Sequence, residues 1–418
     1  MKRSKVGILS LGCPRNLVDS ETVLGRLKDK GCSIVDIKDA DTAIINTCAF
    51  IEDAKKESIE AILDLIEMKK KGDIKKLIVS GCLSKRYKDV LIKEFPEVDA
   101  FVGNLSLNHS TDRFPITPGH YAYLKICEGC LNNCSFCVIP GIKGKFSSLR
   151  MESALKRVEE FDRGKISELN IIGQDISGYG MDLYGSSKLP ELIKGILKRS
   201  RNIGWVRLLY LYPDIKVINA LLDTIREEPR VCKYIDLPIQ HINDRILKLM
   251  NRRTTKKGIL EIIDRIRKKV PAAAIRTSLI TGFPTETEKE FKELYEFVRN
   301  AALERLGVFI YSREEGTPAF GLKPQVPERI SRQRFEAIMS LQQGISEKNN
   351  KKMLGQIIKV LVEEKTGTVT LGRSQYDAPE VDGVVYLRHA KRELKQGDFV
   401  QAKVIDTLEY DLVGEVIG

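Results

Sequence analysis

The chain has 418 residues, of which 42% are apolar and 30% charged, with a formal charge of +12. That length predicts about two to four domains with ample core, and no apolar run reaches the roughly 18 residues that a bilayer-spanning helix needs. The basic balance suits an acidic partner such as RNA or a ribosome. The start, Met1-Lys-Arg-Ser-Lys5, leads into an apolar run broken by Gly12, Cys13 and Pro14 without a cleavage site. It reads as a first strand and not as a signal peptide. Nine cysteines with no export signal predict thiols kept reduced for metal in the cytoplasm, not disulfides.

Three short apolar runs open the chain: Val6–Leu11, Ala43–Asn46 and Leu77–Val79. Helical periodicity fills the stretches Val18–Lys30 and Ile51–Lys70. Strand, helix, strand at this rhythm predicts a parallel sheet with crossover helices. In such a sheet every strand-to-helix turn lies on the edge where ligands bind. Cys13, Cys48 and Cys82 each follow a strand, so the fold is expected to bring three distant thiols to one edge, where they could hold a cluster. The alternative is three ordinary semi-buried cysteines. Cys32 and Cys232 are expected to be inert. The segment 1–104 resembles the N-terminal methylthiotransferase domain, above all in Leu11-Gly-Cys-Pro-Arg-Asn-Leu-Val-Asp-Ser-Glu21. The resemblance implies that its three cysteines hold an auxiliary [4Fe–4S] cluster. The Pro14-Arg15 form is similar to the branch acting on a ribosomal protein.

Residues 105–120 are rich in Asn, Ser, Thr, Pro and Gly and read as a linker. Then come four thiols within eleven residues, Cys127, Cys130, Cys134 and Cys137. The last three have the spacing C-x3-C-x2-C, and thiolates are soft ligands suited to iron–sulfur clusters. Two C-x2-C pairs could instead hold zinc, although structural zinc sites usually separate their pairs by about a dozen residues or more. This loop, within Tyr121–Pro140, resembles that of the methylthiotransferase family of radical S-adenosylmethionine (SAM) enzymes, and Gly372–Gly383 resembles its RimO-type branch with the ribosomal substrate. Cys127 is read as a spare thiol.

Six βα units are expected over 121–353, with strands at Ala122–Ile126, Leu169–Ile172, Trp205–Leu211, Tyr234–Leu237, Ile275–Ile280 and Arg305–Tyr311. They predict a partial barrel with its chemistry at the strand C-termini. Gln174-Asp175, Tyr212-Pro213, Gln240-His241 and Gly282-Phe-Pro284 follow strands there, and Arg276 and Thr277 lie within the fifth. Asp175 could simply cap a turn, and His241 could start a helix. The family resemblance raises Gln174, Gln240, Arg276 and Thr277 as SAM contacts. Thr285 stands where relatives usually carry a second glycine.

A long charged helix over Pro327–Lys352 precedes five short β-like runs, which predict a small barrel over 354–418. This region resembles a TRAM domain, a module that usually binds RNA. It carries 8 Lys and Arg against 11 Asp and Glu. An acidic module suits a basic protein better than phosphates.

The expected architecture is therefore α/β: a parallel α/β domain, a partial (βα)6 radical SAM barrel and a TRAM-like β-barrel. The resemblance implies methylthiolation of the β-carbon of an aspartate in small-subunit ribosomal protein number twelve. It implies two [4Fe–4S] clusters and two SAM molecules, one cleaved to a 5′-deoxyadenosyl radical and one giving its methyl group. It also implies an electron donor such as flavodoxin or ferredoxin, and a monomer with no membrane partner is expected. A transfer-RNA methylthiotransferase, a radical SAM enzyme of another reaction and a metal-binding ribosome factor are the competing readings.

Overall fold

The computed structural model describes residues 3–103, 113–366, 369–388 and 393–417. The last position of the expected N-terminal domain, 104, the first eight of the expected linker, 105–112, and two of an expected tail strand, 367–368, lie outside the described residues. The chain packs as two compact units, one of Met1–Pro118, Lys125–Leu149 and Ser312–Phe320, the other of Gly119–Leu124, Arg150–Tyr311 and Gly321–Gly418. Among the described residues no helix is long and apolar enough to cross a membrane.

The first unit begins with β1 (Lys5–Ser10), α1 (Pro14–Asp29), β2 (Ser33–Ile34), β3 (Thr42–Thr47), α2 (Glu52–Lys71), β4 (Lys76–Gly81), α3 (Cys82–Glu94) and β5 (Ala100–Val102). The strands form a five-stranded parallel sheet in the order β2-β1-β3-β4-β5. Its centre is apolar because β3 and β4 are covered by helices, and Ala43, Ile45, Leu77 and Val79 are fully buried. Pro14 opens α1, where its missing N–H costs no hydrogen bond. Gly72, at φ +86°, ends α2 in the left-handed conformation that glycine adopts without strain. Each expected strand and helix of this segment is present, with ends shifted by a few residues.

Strand β6 (Tyr121–Lys125) leads to the cysteine loop, which β7 (Cys127–Glu128), α4 (Ile139–Lys143) and β8 (Ser147–Ser148) frame. β7 pairs antiparallel with β8, closing the loop at its base.

The second unit continues with α5 (Met151–Arg163), β9 (Glu168–Ile172), α6 (Met181–Tyr184), α7 (Leu189–Arg199), β10 (Trp205–Leu208), α8 (Ile215–Glu227), β11 (Tyr234–Asp236), α9 (Asp244–Leu249), α10 (Lys256–Lys269), β12 (Ala274–Thr281), α11 (Glu288–Ala301) and β13 (Arg305–Ile310). Its parallel strands make two three-stranded sheets, β10-β9-β6 and β11-β12-β13. Val206 on β10 bridges them through bonds with Arg230 and Cys232. The result is the expected arc of six strands. The third strand is shorter than expected. Tyr210 takes φ +66° and gives its N–H to the Asp236 carboxylate, so the ladder stops at Leu208.

After α12 (Glu328–Lys351) come β14 (Ile357–Thr366), β15 (Val369–Ser374), β16 (Val385–Arg388), β17 (Phe399–Thr407) and β18 (Leu412–Ile417). They close into a barrel in the order β14-β15-β16-β18-β17 around Val360, Val362, Val385, Ala402 and Val404. The strands of this barrel alternate buried and exposed positions, so closure leaves no hydrogen-bonding edge open.

Charge also ties the barrel into its unit. Glu168 on β9 is fully buried between Arg207 on β10, at 2.7 Å, and Arg373 on β15, which grips it with two nitrogens. Arg305 pairs with Asp377 and Arg276 with Asp382, while Tyr234 and Tyr121 donate to Asp382 and Glu380. His120 lies 2.9 Å from Glu363. Four barrel carboxylates and Arg373 are therefore engaged internally, and the remaining seven acidic and seven basic residues balance. The acidic surplus that suggested a basic protein partner is largely absorbed by packing within the unit.

Candidate active site

Both thiol trios lie in the first unit. Cys13 immediately precedes α1, Cys48 follows β3, and Cys82 begins α3 directly after β4. The parallel topology thus delivers the three to one sheet edge. A Cβ added to Gly12 would lie 3.0 Å from the Cys48 sulfur, which places the first two turns against each other. Gly12 has φ +87°, and only glycine meets both demands without strain.

Asn16 joins the three turns. Its side-chain amide donates to the carbonyls of Leu11 and Thr47, each at 3.1 Å. Its oxygen accepts from the Cys82 thiol at 3.8 Å. Asn46 in turn donates to the Asn16 carbonyl and to Ser20. Ser58 on α2 fixes Cys48 from both sides, accepting its N–H and donating to its carbonyl. Nothing in the spacing of the cysteines singled out Asn16. The available signal was a polar residue three positions after a strand-end cysteine, on the buried side of α1.

The electrostatics of the trio are uneven. Burial pushes the Cys13 thiol up, but the Arg15 charge and its Nε–H···S bond of 3.3 Å, with two backbone N–H groups, more than offset it and leave the thiol below its ordinary value. Burial pushes Cys48 up, and Cys82 up to about 12 despite nearby Lys143. The latter two are neutral thiols in the metal-free protein, so binding a metal there must release protons.

Cys130, Cys134 and Cys137 share the loop between β7 and α4. Asn132 directs its backbone N–H and its side-chain amide at the Cys130 sulfur, 3.4 and 3.5 Å away. Cys137 donates its N–H to the Cys134 carbonyl, curling the loop. Burial pushes the Cys137 thiol up to about 12, and its electrostatic neighbours are Cys134, Cys130 and Arg15. Cys127 is fully buried in β7. All nine cysteines are described and none forms a disulfide.

Two buried lysines flank this loop. Lys125 pairs with Asp19 and Glu128, and Lys143 pairs with the same two carboxylates at 3.1 and 3.0 Å. Asp19 sits on α1, so this quartet ties the helix behind Cys13 to both ends of the cysteine loop. Glu21, two residues further along α1, accepts from Arg113, from the backbone of Ile116 and Thr117 and from the Thr117 hydroxyl, anchoring the described end of the linker region. A cleft of about 550 Å³ opens beside the loop, lined by Cys134, Cys137, Arg86, Tyr87 and Glu315 among others.

Among the described residues, no three His, Cys, Asp or Glu converge closely enough to hold a single metal ion. An iron–sulfur cube distributes three donors over three irons, so its ligands need not meet at a point. The all-sulfur character of both trios fits that soft chemistry.

The second unit carries the other expected positions. Gln174 is half-buried after β9, and neighbouring Asp175 caps the following turn by accepting from Ser177. Gln240 takes φ +71° and bridges to β12 through Ser278 and Ile280. Arg276 pairs with Asp236 and Asp382. Thr277 is buried, donating to Leu237 and accepting from Ile239. His241 is fully buried against Glu286 and accepts the Asn243 N–H, and Asn243 rather than His241 caps α9. Thr285 has φ +69°, in the left-handed region that favours glycine.

Comparison with known proteins separates the competing readings. Residues 5–103 match the profile described as Uncharacterized protein family UPF0004, 124–298 the Radical SAM superfamily and 354–417 the TRAM domain. Ribosomal protein uS12 methylthiotransferase RimO of Geobacter sulfurreducens is 45% identical, with 100% of this chain and 99% of that protein covered. The protein of the same name from Caldanaerobacter subterraneus is 46% identical, over 98% of this chain and 99% of its own. The chain belongs to the radical SAM methylthiotransferase family, in its RimO-type branch. Members of this family are radical SAM transferases of sulfur-containing groups, and this chain is an iron–sulfur and SAM enzyme of that class. The RimO-type fold has distant likenesses too. The radical SAM methyltransferase TsrM of Kitasatospora setae superposes with a TM-score of 0.53 at 11% identity, over 82% of this chain and 89% of that one. The cobalamin-dependent radical enzyme OxsB gives 0.51 at 12% identity, over 83% and 56%. These two bear on the fold alone.

Within this family member, Asn16→Ala is expected to destabilise the first unit by about 1–3 kcal/mol, since it strips buried carbonyls of their donor. If each trio holds a cluster, as proposed below, iron per chain should fall by about half, because Asn16 joins the turns of one trio. Denaturant unfolding and iron and sulfide assays check both.

Proposed function

We propose that this enzyme methylthiolates the β-carbon of an aspartate in ribosomal protein uS12, using two [4Fe–4S] clusters and two SAM molecules. One observation carries the reading: full-length relatives at about 45% identity bear that name. Cys13, Cys48 and Cys82 would hold one cluster, and Cys130, Cys134 and Cys137 the other. When bound, the clusters and SAM supply reductive cleavage of the sulfonium, hydrogen abstraction and sulfur delivery, chemistry that no acid–base side chain can perform on an unactivated C–H bond.

The chain's own residues hold and orient these parts. Asn16, Ser58 and Asn132 direct the cysteines, and the Lys125–Asp19–Lys143–Glu128 quartet holds the cysteine loop to α1. Gln174, Gln240, Arg276 and Thr277 are proposed SAM contacts on the strand ends of the second unit. The proposed domains are 1–104, 121–353 and 354–418, joined by the linker 105–120. A flavodoxin or ferredoxin would supply electrons, and the enzyme would act in the cytoplasm as a monomer.

Anaerobic iron and sulfide analysis should give about eight irons per chain. Mass spectrometry of uS12 and of bulk transfer RNA, from cells with and without the protein, tests the substrate. A methylthio mass on uS12 is expected; a gain on nucleosides alone would overturn the assignment.

A further inference from the structure

We infer that the basic turn joining α9 to α10 docks the phosphate backbone of RNA, so that the enzyme meets uS12 on the RNA-bound small subunit and not as a free protein. The choice of that RNA rests on the uS12 reading above. Residues 244–257 hold six Lys and Arg against one acidic residue, Asp244. Helix α9 follows β11 and α10 leads back to the start of β12, so the turn between them lies on the strand-end rim of the second unit. Two of the six cations are neutralised there, Arg245 by Glu290 at 2.5 Å and Lys256 by Glu293 at 2.6 Å. Asp244 accepts the Lys256 backbone N–H at 2.7 Å. Lys248, Arg253 and Lys257 are exposed, and among the described residues Lys248 and Lys257 have no ion-pair partner.

Helix stability does not account for this charge. Lys256 and Lys257 occupy the first turn of α10, which holds no acid, and cations there oppose the helix dipole. The arginines between the helices are held in place by one ring. The Arg252 guanidinium stacks on Tyr212 at 4.2 Å and that of Arg253 at 5.3 Å, and the Arg253 backbone N–H donates to the Tyr212 hydroxyl at 2.7 Å. Stacking on an aromatic ring orders a guanidinium and leaves it its charge. Tyr212 is itself buried, so no base can stack on it, and the turn can contact phosphates alone, without regard to sequence. A ribosomal protein lies against RNA in its subunit, and an enzyme approaching it there meets phosphates that only cations neutralise. The barrel at 354–418, with 8 Lys and Arg against 11 Asp and Glu, has no cation surplus for that contact.

The test compares two triple variants of the full-length enzyme with equal loss of charge. One removes the turn's exposed cations, Lys248→Gln, Arg253→Gln and Lys257→Gln. The other removes three exposed cations on α7 and just after it, Lys194→Gln, Lys198→Gln and Arg201→Gln. Binding to purified small subunits is measured over a range of salt, and methylthiolation is followed on those subunits and on free uS12. The first triple should weaken subunit binding on the order of 30-fold and reduce the slope of log affinity against log salt by about two to three. It should slow modification of subunits while leaving that of free uS12 within about twofold. The α7 triple should stay within about threefold of wild type throughout. Wild-type affinity and slope in the first triple, or equal losses in both triples, would overturn the docking role and leave the uS12 reading standing. Competition by polyglutamate as strong as by RNA would also overturn it, in favour of an acidic protein partner. If wild type modifies uS12 in neither form, the uS12 reading falls, and the choice of subunit RNA falls with it.

Discussion

Cys13→Ala should abolish methylthio transfer while SAM cleavage continues, whereas Cys134→Ala should stop both. The two cysteines belong to separate trios within one unit. Cys13 stands at a sheet edge with Cys48 and Cys82, and Cys134 lies in the loop between β7 and α4. Removing a sulfur donor from one group leaves the other's loop, with its Asn132 contacts and Cys137–Cys134 hydrogen bond, in place. Each variant should retain about four irons instead of about eight. Quantifying 5′-deoxyadenosine and methylthiolated uS12 in one reaction separates the two activities. Loss of cleavage in Cys13→Ala, with iron retained at the second trio, would show that the proposed division of labour is wrong.

The largest stability loss is expected from Glu168→Ala. That carboxylate is fully buried between Arg207 and Arg373, which are themselves buried. Burial pushes its carboxyl up, but the two guanidinium groups more than offset this and hold it below the usual range. Its contribution is therefore present above the unfolded pKa and is lost only as pH falls through the lower folded value. Removing it leaves the buried Arg207 without its carboxylate partner and Arg373 with Glu363 alone, a loss of about 3–5 kcal/mol. Tm should drop on the order of 10 °C. The triple replacement of Glu168, Arg207 and Arg373 by apolar residues of similar volume should recover most of it, since no bare charge then remains. Calorimetry on the three single variants and the triple decides this. Equal losses in the triple and in Glu168→Ala would mean that the charges contribute by more than mutual compensation.

The positions of the six proposed ligands were legible for different reasons. Cys130, Cys134 and Cys137 are close in sequence, so their spacing alone confines them to one loop. Cys13, Cys48 and Cys82 are not close, and they became legible only through the apolar runs before them. A parallel sheet puts every strand's C-terminal end on one edge, so periodicity translates into proximity. Legibility failed where a residue's role depends on what packs against it. Tyr210 shortened a strand because a carboxylate from the next βα unit captured its N–H. His241, polar and on the expected rim, is fully buried against Glu286.

The tail shows the same boundary. Alternation and turn residues determined a five-stranded barrel, and its net charge was correctly countable from composition. Which way those charges point was not. Glu363, Asp377, Glu380 and Asp382 face partners on β6, β11, β12 and β13 and the residues beside them, brought near by folding across 72 to 259 positions of sequence.

The sequence by itself determined the α/β architecture, the family and both groups of thiols, because hydrophobic period and ligand spacing are local properties of a chain. Only the tertiary structure decided that Asn16 joins three turns and that Asp19 ties α1 to the cysteine loop. Hydrogen bonds and ion pairs of this kind depend on distances of a few ångströms between segments remote in sequence, and no local pattern encodes them.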